Sequence, residues 1–412
     1  MRSWRNHPAV YLVSGITALS LFGDSLLYSL LPLYAEDLGI PLIAVGLILS
    51  ANRWVRLGTN PLASKVFQRW GIFRPLLGAI SLAVLSTFLY SRTWGIGVFL
   101  LARAVWGLSW SHLRLGSFLV ILQTSAETLG FAIGTHHAIT RLGSAFTSVV
   151  GSLLVDRGGY QLGLTIMALL SALGIPLAFR LRLLVSEQEE ITAVHEGGVE
   201  EELSVLPVQP ELSAEICNLG GFAVSFVSAG ILVSSLSLVL NQRIGDSAVF
   251  GSTTIGIATI SGLLFAVRWT SSLFLAPLVG RLIDHFGRRT AFQSLAVLIA
   301  LFLLGFGALS NPMVTVILAC LLFFTGNSLE VVLDTAIGDT THEGGKRAER
   351  VSRYASYYDF GAASGPVAAY LLGVNFNFSL PFFLGSIMMI ALMVVHFFNI
   401  FPVTETSQIE RM

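Results

Sequence analysis

Ten ionisable side chains stand inside stretches that are otherwise apolar: Arg53, Arg56, Arg103, Arg114, Arg141 and Arg268 on the basic side, Asp24, Glu330, Asp334 and Asp359 on the acidic side. A charge in hydrocarbon is expensive unless it is paired or wetted, so such residues mark partners, cavities or proton paths. Many fall at helical spacing on one face: Arg103, Gly107, Trp110 and Arg114; His137, Arg141, Ser144, Ser148 and Ser152; Arg53, Arg56 and Asn60; Asn327, Glu330 and Asp334. The serines in these stripes are expected to bond helix to helix, a role not expected of the arginines. A carboxylate without a partner holds its proton towards neutral pH, and an adjacent arginine drives the proton off. Asp24, about 22 Å along its helix at 1.5 Å per residue, therefore suits a coupling group for which a proton competes with a substrate or an arginine. A static pair with Arg53 or Arg103 is the structural alternative. Glu330 is the second candidate of this kind, while Asp334, His136 and His137 suit packing or gating. The six arginines exceed the four carboxylates by two, so the embedded set favours an anionic or amphipathic organic solute, gripped by guanidinium and indole groups.

The rest of the composition sets where these groups must sit. Only 12% of the 412 residues are charged and 54% are hydrophobic, against about 25% charged in soluble proteins; lipid must cover much of the surface. Lys plus Arg equals Asp plus Glu at 24 each, which gives no basic bias towards nucleic acid. Apolar runs of about 20 residues are read at twelve places: 9–34, 41–64, 75–91, 95–119, 133–155, 160–181, 217–241, 251–280, 291–309, 312–338, 354–374 and 377–400. Backbone groups in lipid are satisfied within helices, so the fold class is all-α and polytopic. Short segments on one side of these runs hold fifteen Lys and Arg, those on the other hold Arg92, Arg157 and Arg243; the rule that basic loops stay inside puts both termini in the cytosol. Residues 183–216 carry nine glutamates and no Lys or Arg, the pattern of a solvated cytosolic linker. Cys217 and Cys320 stand apart, His112, His136 and His137 lack metal spacing, and HExxH, GxSxG and GxxxxGK motifs are absent, so neither enzyme chemistry, a metal, a cofactor nor direct ATP use is expected.

The two halves repeat. Asn60-Pro61-Leu62-Ala63-Ser64-Lys65 returns 216 positions later as Ala276-Pro277-Leu278-Val279-Gly280-Arg281, and Gly71 falls on Gly287. Arg53-Trp54 is answered by Arg268-Trp269, and Arg141 by Asp359 with opposite charge, which suggests an ion pair between halves in one conformation. The run Gly280-Arg281-Leu282-Ile283-Asp284-His285-Phe286-Gly287-Arg288-Arg289 resembles the signature loop of the major facilitator superfamily, and the resemblance covers essentially the whole chain. It implies twelve transmembrane helices in two six-helix bundles, 1–182 and 217–400, joined by the linker 183–216 and followed by a tail at 401–412. It also implies a conformational latch at Gly280, Asp284, Gly287 and Arg288, to which Asp359 is added. The first-half copy has Gln68 and Ser64 in place of the aspartate and the leading glycine, which leaves the latch to Asp284. Arg103-Ala104-Val105-Trp106-Gly107 resembles the family's second motif, whose arginine is associated with proton relay. Gly361-Ala362-Ala363-Ser364-Gly365-Pro366 resembles the antiporter packing motif but lies in the eleventh span rather than the fifth, so Gly361, Gly365 and Pro366 are expected to pack helices.

What this implies is a monomeric secondary transporter of the bacterial inner membrane, exporting a small organic solute by alternating access with proton coupling. Facilitated or proton-linked uptake of an organic anion is the alternative, and a non-transporting sensor or scaffold ranks lower. Asp24, Arg53, Arg103, Arg141, Arg268 and Glu330 are the expected substrate and coupling residues.

Overall fold

A computed structural model describes residues 8–92, 94–192, 211–339 and 347–398. Twelve helical stretches occupy the twelve apolar runs. They are α1 (Pro8–Tyr34), α2 (Leu42–Trp70), α3 (Phe73–Tyr90), α4 (Ile96–Ile121), α5 (Thr128–Gly158), α6 (Tyr160–Ala172 continuing as Gly174–Thr192), α7 (Ala214–Ile244), α8 (Ile257–Phe286), α9 (Arg288–Ala308), α10 (Pro312–Asp339), α11 (Arg347–Asn375) and α12 (Leu380–Phe397). Ten of them contain a stretch long and apolar enough to cross a membrane, the makeup of an integral membrane protein. The two that fall short, α2 and α11, are 29 residues each. Asn52, Arg53, Arg56 and Asn60 interrupt the apolar run of α2, and Tyr357, Tyr358 and Asp359 that of α11. Their length is that of a span, but their polarity requires protein rather than lipid on one face.

Besides α6, which is interrupted at Leu173, three helices depart from regular geometry. α1 breaks at Leu21 between Pro8–Ser20 and Phe22–Tyr34, which puts Asp24 in the first turn of the second segment. α5 and α7 each contain a π-helical stretch, Thr147–Gly151 and Ser225–Leu232; such turns widen the helix locally and recur at functional positions.

One sequence expectation is corrected here. The eighth apolar run starts at 251, but residues Ser247–Phe250 and Thr253–Gly256 form an antiparallel hairpin, β1 and β2, and the helix begins at Ile257. Phe250 pairs with Thr253, so Gly251-Ser252 form a two-residue turn. Gly251 has φ +61°, the positive value that the primed two-residue hairpin turns require at their first central position. Its Val-Phe and Thr-Thr-Ile flanks favour strand, which an apolar-run reading cannot tell from helix. On the other side, α6 continues to Thr192, ten residues into the stretch 183–216; residues 193–210 and the tail 401–412 lie outside the described ones.

The described residues form two compact units, 8–192 with 240–270 and 211–239 with 271–398. In the first, α1 packs against α4, α5 and α6, and α4 packs against α2 and α3, around Val13, Ile16, Ile80, Ala83, Trp106 and Leu113. In the second, α9 packs against α10 and α12, and α7 against α11. Polar side chains tie the helices, Ser144 and Asn60 of the stripes among them. Ser25 donates to Ser144 at 3.0 Å, Ser111 to Asn60 at 2.8 Å, and the Thr17 and Ser117 hydroxyls bond at 2.8 Å. Gly71 and Gly287, equivalent in the repeat, both take positive φ, +69° and +82°, and each ends one helix two residues or fewer before the next begins. A side chain at either position would strain the turn.

Candidate functional site

The deepest charge cluster lies in the first unit. Arg103 on α4 has no exposed side-chain surface and forms an ion pair with Asp24 of α1 through Nη1 and Oδ1. Three further donors are used as well. Nε donates to Ile48 O at 3.1 Å and Nη2 to Leu49 O at 2.9 Å, both on α2, and Nη2 also to the Tyr28 hydroxyl at 3.2 Å. The guanidinium stands 5.5 Å from the Tyr28 ring centroid. One side chain thus fastens three helices. The reason is its planar fork of five donors, which meets two carbonyls, a phenol and a carboxylate at once. The Asp24 side chain keeps 16% exposure and Arg103 none, so the pair is open at its carboxylate end only.

A second basic cluster joins α5 to α8 in the same unit. The Arg141 guanidinium lies 5.2 Å and the Arg268 guanidinium 4.4 Å from the ring centroid of Trp269. Arg268 is buried and Arg141 half-buried. The indole face attracts both cations and holds two like charges near one another, a disposition suited to an anion. Arg53 is half-buried on α2, beside the buried Asn52.

In the second unit, Glu330 and Asp334 stand one turn apart on α10, opposite Tyr358 and Tyr354 on α11. Tyr358 Oη donates to Glu330 and Tyr354 Oη to Asp334, each at 2.8 Å. The i, i+4 spacing on both antiparallel helices makes two rungs of one ladder. Tyr354 is buried while Asp334 is exposed, so Tyr354→Phe is expected to cost about 1 kcal/mol, read as a lower denaturation midpoint of the purified chain.

The signature loop is only partly described. Gly280 is half-buried with open space around its Cα, and Asp359 is half-buried; the Asp284 side chain lies outside the described residues. Arg288 opens α9 after Gly287. Glu211, at the end of the acidic stretch, accepts the Arg289 backbone N–H at 3.0 Å, so an acid from the linker satisfies a free donor at the start of α9, where the helix dipole favours it. Gly361 and Gly365 face α7 directly: an added Cβ would meet the Phe222 and Phe226 carbonyl oxygens, respectively. Pro366 lies inside α11.

Sequence reasoning missed Tyr28, Tyr354, Tyr358, Glu211 and Asp156. The tyrosines of α11 carried a signal, since their spacing of four matches that of the acids on α10. Tyr28 carried the same spacing from Asp24. Asp156 and Glu211 carried none.

Comparison with known proteins agrees with this architecture. The profile of the Major Facilitator Superfamily matches residues 13–272 and 219–410. The Multidrug resistance protein MdtG of Rahnella sp. (strain Y9602) is 25% identical over 370 residues, covering 87% of this chain and 85% of the relative. MdtG of Dickeya zeae (strain Ech586) is 25% identical over 368 residues, covering 87% and 86%. Among solved structures, a bacterial homolog of the human lysosomal transporter Spinster, inward-facing and occupied, superposes with a TM-score of 0.73 at 12% identity over 96% of both chains. A mutant of the nucleoside transporter NupG gives 0.70 at 12% identity, over 94% of this chain and 99% of that one. With two overlapping profile matches spanning both halves of its internal repeat, the chain belongs to the Major Facilitator Superfamily.

Proposed function

We propose that this transporter exports a small organic solute across the bacterial inner membrane by alternating access, with export coupled to proton entry. The observation that carries the coupling is the Asp24–Arg103 pair. A proton taken up by Asp24 cancels the only carboxylate bonded to Arg103 among the described residues and leaves a fully buried guanidinium uncompensated. Such a charge costs several kcal/mol in a dry interior, so protonation favours any arrangement of α1, α2 and α4 that relieves it. That is a differential free energy between two states, which coupling requires. Glu330, on its tyrosine rung, is the matching group of the second unit. Arg53, Arg141 and Arg268 bind the solute, which is anionic or amphipathic. Both termini are cytosolic, the chain spans twelve times and acts as a monomer, and Gly280, Asp284, Gly287, Arg288 and Asp359 form the cytosolic latch. Export is supported by the two MdtG relatives, each described as a multidrug resistance protein.

The test is pH-driven transport in proteoliposomes. Asp24→Asn and Glu330→Gln are each expected to uncouple transport from the proton gradient; if both leave it unchanged, the coupling assignment is wrong. The two arginines on Trp269 favour a second reading, facilitated uptake of an organic anion. It predicts transport indifferent to a pH gradient and abolished by Arg53→Ala or Arg268→Ala.

A further inference from the structure

At the end of α5 that precedes the Gly158-Gly159 turn, its residues meet the start of α8 in an antiparallel zipper. On α5 the contacting positions are Ser148, Ser152 and Asp156, spaced by four. On α8 and the hairpin before it they are Gly262, Thr259 and Gly256, spaced by three. The backbones touch: a Cβ added at Gly262 would meet the Ser148 carbonyl and lie 2.7 Å from Ser152 Oγ, and one at Gly256 would meet the Asp156 carboxylate. Ser148 sits within the π-helical stretch of α5, whose wider turn brings its carbonyl to the contact.

The last rung is hydrogen-bonded. Asp156 Oδ2 accepts the backbone N–H of Thr259 at 2.8 Å and its hydroxyl at 2.5 Å. This carboxylate caps the N-terminus of α8 from another helix, with the helix dipole adding to the attraction. The remaining rungs are Ser and Gly, which bury little apolar surface and so contribute little hydrophobic attraction. Asp156 is exposed while Thr259 is buried, so on separation the carboxylate passes to water without a desolvation penalty.

We propose that Asp156 is the outer latch of the transport cycle: its two hydrogen bonds to Thr259 hold α5 and α8 together at the face opposite the chain termini, and they break when that face opens. The proposal rests on the alternating-access reading above and adds the residue that sets how readily the outer face opens. A contact of small residues closed by one charge-assisted cap separates and re-forms without dragging a packed core apart.

The test needs neither substrate nor gradient. In a full-length chain with Cys217 and Cys320 replaced by alanine, Ser148→Cys is a buried reporter, since Ser148 has no exposed surface. It is reacted from outside with a membrane-impermeant maleimide in proteoliposomes. Asp156→Ala is expected to raise the labelling rate on the order of tenfold, as losing hydrogen bonds to a charged acceptor implies. Thr259→Val, which keeps the backbone bond, gives a smaller rise, and Asp156→Glu restores most of the protection. Unchanged labelling in Asp156→Ala overturns the latch. Melting curves of each variant separate opening from misfolding: a rise in labelling that tracks lost stability, and that Asp156→Glu does not reverse, also overturns it. If Asp24→Asn and Glu330→Gln leave pH-driven transport intact while labelling responds as stated, the coupling assignment falls and the latch stands.

Discussion

Replacing Arg103 with alanine is expected to destabilise the first unit by about 3–5 kcal/mol, the range for removing one partner of a buried ion pair. The deletion leaves the Asp24 carboxylate without its cation and the Ile48 and Leu49 carbonyls and the Tyr28 hydroxyl without their donor. A void is added at a side chain with no exposed surface. The result is read as a lower midpoint in detergent or denaturant unfolding and as lost monodisperse yield. Asp24→Asn keeps one hydrogen bond to the guanidinium and costs less. The double replacement Asp24→Leu with Arg103→Met separates architecture from mechanism. Removing both charges in favour of apolar groups of similar volume is often neutral or stabilising, so stability is expected to return towards the parent value while pH-driven transport stays absent. A double variant as unstable as Arg103→Ala would show that the carbonyl contacts, rather than the charge pair, dominate. One that regained coupled transport would remove Asp24 from the proton path.

Gly365→Val is expected to be the most damaging change in the second unit. Its Cβ would strike the Phe226 carbonyl and the backbone of Gly230 on α7. Two helices whose backbones approach this closely, as small-residue interfaces in membranes do, cannot admit a side chain without moving apart. Overpacking of this kind costs about 1–3 kcal/mol and sometimes more, and a branched side chain against main chain belongs at the upper end. Gly361→Val, against the Phe222 carbonyl and Ser225 Oγ, is expected to behave alike. Gly280→Ala provides the contrast, because no atom lies within 4 Å of its added methyl and alanine is the better helix former. Its unfolding midpoint is expected to be unchanged or slightly raised. Equal losses at Gly280 and Gly365 would show that close approach is not what distinguishes them.

The packing expectation for Gly361 and Gly365 came from a motif standing in an unusual helix, and the structure gives it a neighbour in α7. The polar stripes were legible for the same reason the helices were: a period of 3.6 puts Ser144 and Arg141, or Glu330 and Asp334, on one face whatever they later touch. Ser144 duly bonds Ser25. The hairpin before α8 was not legible, because Phe250 and Ile255 read as apolar whether in strand or helix, and only the turn at Gly251 decides between them.

By itself the sequence determined most of the helices, the internal repeat and the family, because each rests on local composition: long apolar runs that must satisfy their own backbone in lipid, and turn glycines recurring 216 positions apart at Gly71 and Gly287. Partner choice was decided only by tertiary structure. Asp24 had two arginines within its sequence-level reach, and the crossing of α1, α2 and α4 gave it Arg103 while surrounding that arginine with the carbonyls of Ile48 and Leu49. Asp156 carried no signal in the sequence, and the fold set it against Thr259. A side chain's type and its place on a helix are written along the chain. Which charge it meets depends on helices that lie far apart in sequence, and that distance carries no local pattern to read.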